Sequence, residues 1–343
     1  MRNEGIYILE WIAYHRHIGV EHFFIYSNNN DDGSEKILEI LDKENIITYI
    51  KNDVDERGLA QNKAYSHALS FNNDILNYKW CAVIDADEFI YVDKKKFCSL
   101  NDFLYWMDFM STDAVAMNWK FMKSNEISNF QEVFLPLTSR NTQVVGAGGI
   151  GDGHLLIKSL FKTKAFLHSH PHHPCLNNRF NYSYRLTDRT EHKYDNPPKG
   201  FHKDPSFSDN YSGYGISLLH FYFKSNVEWF WKACRNRGDE ILSLFDITKF
   251  NDNWITPYRM QIEDKHNEDI NINNSFHGEL DSLRKISGIN TEEEKIRENF
   301  IIKFNNYYNN LVNYYMNNNI ILSKDNKPYF DKLISKIYSS MTE

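Results

Sequence analysis

The sequence predicts an α/β fold: a mostly parallel sheet flanked by helices, with a helical appendage at the carboxyl end. Three observations predict it. Short apolar runs of strand length alternate with helix-periodic segments of about ten to fifteen residues through roughly the first 125 positions. One of these runs, Trp80–Ile84, is unbroken in Ala82-Val83-Ile84, as a central strand buried on both faces requires. From Asp246 the chain turns Asn-rich and charged, with apolar residues at helical spacing.

The elements follow in order. Gly5–His17 carries Ile6, Leu9, Ile12 and Ala13 at helical spacing, and Gly19 is a helix stop. His22–Tyr26 is a strand run that ends in the loop Ser27-Asn28-Asn29-Asn30-Asp31-Asp32-Gly33. Ser34 caps a helix whose Ile37, Leu38 and Leu41 share one face. A strand at Ile46–Ile50, a helix at Leu59–Phe71 and the strand Trp80–Ile84 come next. A helix at Leu100–Met110 and a strand at Ala114–Trp119 follow. Parallel strands joined through helices make right-handed crossovers, and ligands bind where their carboxyl ends gather. The 28–33 loop and the cluster Asp85-Ala86-Asp87-Glu88 both fall there.

The middle of the chain is less regular. It holds a Gly-rich stretch (Gly146–Gly153), a strand run (Leu155–Phe161) and the histidine run His168-Ser169-His170-Pro171-His172-His173-Pro174. From Pro174 to Gly213 the chain is polar and without period, which reads as a functional loop over a site. Order returns with a strand at Ile216–Phe223. The capping box Ser225-Asn226-Val227-Glu228 then opens a helix that runs to Arg237 and stops at Gly238. In the tail, Thr291-Glu292-Glu293-Glu294 is a second capping box, opening a helix with Ile296, Phe300, Ile301, Phe304 and Tyr308 on one side. The expected division is a domain at 1–245 and an accessory region at 246–343.

Composition narrows the function. At 343 residues with 41% hydrophobic and 25% charged, the chain is globular rather than disordered. A net charge of −7 excludes nucleic acid as the expected partner. Four cysteines without CxxC spacing make neither a zinc site nor a disulfide framework, so a reducing, cytoplasmic location is expected. No run is long and apolar enough to span a bilayer, and Met1-Arg2-Asn3-Glu4 lacks the shape of a signal peptide. Any membrane association is expected to be peripheral. With 39 asparagines, Asn-X-Ser/Thr triplets such as Asn181-Tyr182-Ser183 arise by chance.

Asp85 and Asp87 stand two apart at a strand end, so both can turn toward one crevice. Carboxylates so placed suit a hard divalent cation that completes its shell with substrate phosphates.

Several separated motifs now point one way. Arg2-Asn3-Glu4-Gly5 precedes Glu10-Trp11-Ile12-Ala13-Tyr14-His15, and Gly19-Val20 precedes Phe24-Ile25-Tyr26. Asp32-Gly33-Ser34, Asp85-Ala86-Asp87-Glu88-Phe89 and Asn118-Trp119-Lys120-Phe121 follow. The series ends with His220-Phe221-Tyr222-Phe223-Lys224-Ser225, Phe230, Lys232 and Arg237-Gly238. Together they resemble the DxD-containing, nucleotide-sugar glycosyltransferases of the family 2 and family 92 group, over about residues 1–240. The resemblance implies a GT-A fold, a Rossmann-like nucleotide-sugar-binding domain. It also implies a nucleotide-diphosphate sugar donor (UDP-sugar favoured), Mn²⁺ or Mg²⁺, and a glycan or glycoconjugate acceptor. By the same analogy Asp87, Asp85 and His220 are expected at the metal. Asn3, Glu4, Ser27, Asn28, Asp32, Asp85 and Lys224 are expected at the nucleotide sugar, with Arg237 a further phosphate partner.

The chain departs from this pattern in three places. Ser27 stands where an Asp is expected for the base, and Met122-Lys123-Ser124-Asn125 replaces a small-residue turn on the acceptor side. The family's first strand lies ahead of the Asn3-Glu4 motif, so two open edges are expected inside the sheet. An inverting transfer also needs a carboxylate base at the acceptor hydroxyl. Asp152 is the first choice, with Glu132 and Asp188 as rivals. Two other readings compete: a metal-dependent hydrolase built on His168, His170, His172 and His173, and a non-catalytic glycan binder using the 174–214 loop.

Overall fold

Gly5–Ile18 forms helix α1, closed by Gly19 in the left-handed region (φ 108°), whose N–H bonds to the Arg16 carbonyl while Val20 N–H reaches His15. Strand β1 (Phe23–Ser27), helix α2 (Ser34–Lys43), strand β2 (Ile47–Lys51) and helix α3 (Ala60–Ser70) follow. In this computed structural model the described residues are all but 54–59, 128, 147–148, 150, 176–179, 193–205, 235–246, 267, 273, 319–321 and 343. Next come β3 (Trp80–Ala82), β4 (Glu88–Val92), α4 (Leu100–Asp108), β5 (Ala114–Phe121) and α5 (Leu137–Arg140). The remaining strands are β6 (Gln143–Val144), β7 (Ile157–Lys162), β8 (Tyr184–Leu186), β9 (Ile216–His220) and β10 (Glu268–Asp269). The other helices span Asn226–Cys234, Asp252–Glu263, His277–Arg284, Ile289–Asn318 and Lys327–Thr342.

The alternation of strands and helices holds, but the main sheet is mixed rather than mostly parallel. Its strand order is β3-β7-β5-β9-β4, with β8 also beside β5. β5 runs parallel to β8 and β9, whereas the pairs β3–β7, β5–β7 and β4–β9 are antiparallel. The physical reason is the connections. Between β5 and β7 the described chain holds only the one-turn helix α5, the short strand β6 and 3₁₀ turns, so no long helical crossover forces β7 to lie parallel to β5. β1 and β2 form a separate two-stranded parallel pair. Strand Ile216–His220 is shorter than expected, and the helix beyond Ser225 is described only to Cys234, which leaves Arg237 and Gly238 outside the described residues. The long tail helix begins at Ile289, after Gly288 at φ 93°, so Thr291–Glu294 lies inside it rather than capping it.

One buried cluster joins Ile8, Ile12 and Ile37 of the first helices to Ile296, Phe300 and Phe304 of the tail. The tail helices His277–Arg284 and Ile289–Asn318 pack on α1 and α2. Gly5 sits at this junction: a Cβ there would lie 2.8 Å from an Asp32 carboxylate oxygen and 3.0 Å from Ile296.

A buried ion pair locks the underside. Arg140 donates from both terminal nitrogens to Glu228, each at 2.7 Å, and Tyr7 and Ser225 donate to the same carboxylate. Burial alone would raise the Glu228 carboxyl, but Arg140 and Ser225 outweigh it and hold it below its usual value. Arg140→Met strands that carboxylate and is expected to cost about 3–5 kcal/mol in urea unfolding. The wild-type margin from Glu228 is present above about pH 4.5 and lost as pH falls below it.

Candidate active site

The turn after β3 carries Asp85 and Asp87, and register carries the rest to it. Glu88, the first residue of β4, pairs directly with His220, the last of β9, and His220 also pairs with Phe121 at the end of β5. Three strand ends therefore converge, although His220 lies far along the chain. The Phe221 N–H bonds to the Asp87 carbonyl at 2.9 Å and fixes the turn against β9.

Asp87 is buried, and its carboxylate is shared. Oδ2 accepts from Lys224 Nζ at 3.0 Å and Lys232 Nζ at 3.3 Å, while Oδ1 faces His220 Nε2 at 3.7 Å. Burial would raise this carboxyl, but Lys224, Lys232 and His220 hold it well below the usual carboxylate range. The His220 ring lies against Trp119 (centroids 4.4 Å) and Phe121 (5.0 Å). Burial drives its pKa down to about 3, so the imidazole is neutral at neutral pH. Any fall in activity from protonating His220 is therefore expected near pH 3 rather than in the ordinary histidine range.

Asp85 is held from the other side. Lys158 Nζ, on the second residue of β7 and 1% exposed, donates to Asp85 Oδ2 at 3.0 Å and lies 3.6 Å from Glu88. Lys158 keeps Asp85 ionised against the pull of burial, while burial raises the fully enclosed Glu88 to about 8. Glu88 also accepts from the Asp85 backbone N–H at 2.8 Å, which shapes the turn. Lys158 went unread in the sequence, yet its signal is there: a lysine inside the apolar run Ile157–Phe161 must have a partner.

Asp85, Asp87, His220 and Lys232 line one cavity of about 1130 Å³, together with Glu4 and Asn28. The other expected residues are used elsewhere. Asn3 exchanges side-chain and backbone hydrogen bonds with Asn30 and Asp31. Asp32 accepts from the N–H groups of Gly5 and Ser34, tying the starts of α1 and α2 together. Ser27 is fully buried with its hydroxyl 3.0 Å from that of Tyr49. These three build the loop rather than face the cavity.

Residues 3–212 match the family described as Glycosyltransferase family 92. The chain belongs to glycosyltransferase family 92. It is similar to family 92 proteins of Oryza sativa subsp. japonica (33% identical over 93 residues) and Arabidopsis thaliana (36% over 89 residues). A third, from Ricinus communis, is 34% identical over 101 residues. These stretches cover 26–27% of this chain and only 15–16% of the relatives' own length.

In this family 92 chain the three candidate bases fare differently. Glu132 accepts from Asn129 in a capping box, and Asp188 accepts from Thr190 as an exposed turn acid. Both have local work. Asp152 falls in a short 3₁₀ turn, Gly151–Leu155, and its side chain lies outside the described residues. In the histidine run, His168 contacts Ser66 and His172 bonds to the Ile157 carbonyl, so the rings point to different partners. Among the described residues no group of three or more His, Cys, Asp or Glu side chains could hold a metal ion, and no helix is long and apolar enough to cross a membrane.

A divalent cation at Asp87 passes a narrower test. The neutral His220 Nε2 and Asp87 Oδ1 are two donors on one side of the cavity, separated by a gap too long for a hydrogen bond. Two protein ligands suit a cation that takes its remaining oxygens from phosphates and water.

Proposed function

We propose that this chain is a glycosyltransferase that moves a sugar from a nucleotide-diphosphate donor, UDP-sugar by preference, to a hydroxyl of a glycan or glycoconjugate acceptor. The GT-A reading and the DxD role of Asp85 and Asp87 belong to this proposal. The observation that carries it is the convergence of Asp85, Asp87, His220 and Lys232 on one cavity, in a chain of family 92.

The chemistry asked of the site is to bind a diphosphate and to stabilise the charge it gains as the glycosidic bond breaks. Lys232 lies 3.8 Å over the Tyr222 ring, at 22% side-chain exposure, and reaches the cavity as a phosphate partner. Lys224, more deeply buried, holds Asp87 in place. Asp87 and His220 would hold Mn²⁺ or Mg²⁺, which when bound supplies Lewis-acid stabilisation of the leaving diphosphate. Asp85, anchored by Lys158 with its side chain 39% exposed, is free on its other oxygen to meet the ribose or the cation. Glu4 and Asn28 line the nucleotide end. An inverting course, with Asp152 as the base that takes the acceptor proton, completes the proposal.

The test is ligand-dependent stability. UDP with Mn²⁺ at about a hundred times its dissociation constant is expected to stabilise the chain by about 2.7 kcal/mol. UDP alone should give less. No stabilisation by UDP, GDP or other nucleoside diphosphates with Mn²⁺ would remove the proposal.

A further inference from the structure

One ring of the histidine run, His172, lines the same cavity as Asp85 and Asp87. It is fixed at both ends. Ser159 donates its hydroxyl to the His172 carbonyl at 2.8 Å, and the ring Nδ1 lies 2.8 Å from the Ile157 carbonyl. A carbonyl only accepts, so Nδ1 carries the proton and donates it. Burial, then the Lys158 ammonium, push the pKa of the ring down to about 4. At neutral pH the imidazole is therefore neutral, and Nε2 is left as an acceptor.

Trp119 of β5 stands beside it on the cavity wall, the two ring centroids 5.4 Å apart. The Trp119 backbone N–H bonds to the Leu156 carbonyl at 3.0 Å, so two successive carbonyls, Leu156 and Ile157, set both residues. Trp119 is 8% exposed, and its indole N–H is buried with no acceptor among the described residues. A buried indole N–H ordinarily finds a partner, and leaving one unpaired costs about 1–3 kcal/mol. The wall thus offers a donor and an acceptor side by side, both open to a ligand. A phosphate or carboxylate oxygen accepts but does not donate, and an ammonium donates but does not accept. A hydroxyl does both through one oxygen, and a sugar carries several on neighbouring carbons. Place decides which sugar. The Trp119 ring also packs on His220 at 4.4 Å, and His220 stands 3.7 Å from Asp87. The wall therefore adjoins the groups assigned to the diphosphate, and the sugar bonded to that diphosphate is the first to reach it.

We propose that Trp119 and His172 form the subsite that reads the hydroxyls of the transferred sugar. The indole N–H donates to one hydroxyl, and His172 Nε2 accepts from the same hydroxyl or its neighbour. The inference rests on the donor reading of the cavity and deepens it, because it names the two residues that select the sugar. Both are held by backbone carbonyls rather than by the ligand, so the pair is set before the sugar arrives. An epimer that turns its hydroxyl away leaves the indole N–H unpaired, which is how such a site rejects the wrong sugar.

Binding measured without an acceptor isolates the pair. UDP, UDP-glucose and UDP-galactose, the last two differing in the orientation of a single hydroxyl, are titrated with Mn²⁺ into the wild type, Trp119→Phe and His172→Phe by calorimetry. Each variant keeps a ring and loses its hydrogen-bonding atom. UDP is expected to bind all three proteins alike, which also shows that the variants are folded. The UDP-sugar that the wild type binds more tightly should weaken by about five- to tenfold in each variant. His172→Gln, whose amide oxygen still accepts, should keep more of the sugar affinity than His172→Phe. Unchanged affinity of the variants for both UDP-sugars would overturn the subsite and leave the donor reading standing, with the wall holding water only. A loss that falls equally on UDP and on the UDP-sugars, or one confined to the KM of an acceptor, would overturn it as well. A wild type that binds none of the three would remove the UDP reading, and the subsite with it.

Discussion

Asp87→Ala is expected to abolish sugar transfer, by at least about 10³-fold, and to lose the stabilisation that UDP with Mn²⁺ gives the wild type. Asp87 is not a solvated acid that alanine replaces without harm to folding. It is 7% exposed and neutralises two lysines. Alanine would leave Lys224 and Lys232 facing each other, at a cost of about 3 kcal/mol. Asp87→Asn separates the two effects. Its amide oxygen still accepts from Lys224, so the fold should be largely kept, while the lost negative charge should still remove transfer. Unfolding in urea reads the first effect and nucleotide release the second. Asn at full activity would show that Asp87 is a structural anchor only.

Lys224→Met is the second large effect. Lys224 is nearly enclosed, takes φ 54°, stands 5.0 Å from the Tyr7 ring and reaches Asp87 at 3.0 Å. Without it, Asp87 keeps only the more exposed Lys232 and is free to turn. The expected loss is about 10²-fold in kcat/KM, with about 3 kcal/mol of stability. Lys224→Arg should not restore activity, because a planar fork does not replace a compact ammonium in a closed pocket. Lys232→Met should weaken donor binding with a smaller loss of stability, since its side chain is partly in solvent. Full specific activity in folded Lys224→Met would contradict a positioning role.

Much of this was legible in the sequence. Apart from β4, the helix and strand order of the first 125 residues follows from periodicity, and Asp85 and Asp87 could be placed together because side chains two apart in a strand share a side. What pairing the later strands would adopt was not legible, since without helical crossovers the chain can return in either direction. β4 was missed because it starts inside the acidic cluster, at Glu88. Asn3 and Asp32 were read as ligand contacts; the structure pairs Asn3 with Asn30 and Asp31 and Asp32 with Gly5, partners more than twenty residues away that no local pattern reveals, beside the local Asp32–Ser34 bond. Lys158 shows the opposite case: a charge in a buried strand that the sequence displayed and only the fold paired.

The central claim is that Asp85, Asp87, His220 and the two lysines form the donor site of a sugar transfer. The most direct measurement is nucleoside diphosphate released from a panel of nucleotide sugars with Mn²⁺, by the wild type and by Asp87→Asn at matched folded concentration. The account predicts release from at least one donor, strongest with a UDP-sugar, and none above background in the variant. Release that is equal in both proteins, or no release from any donor while the wild type is folded, would contradict it.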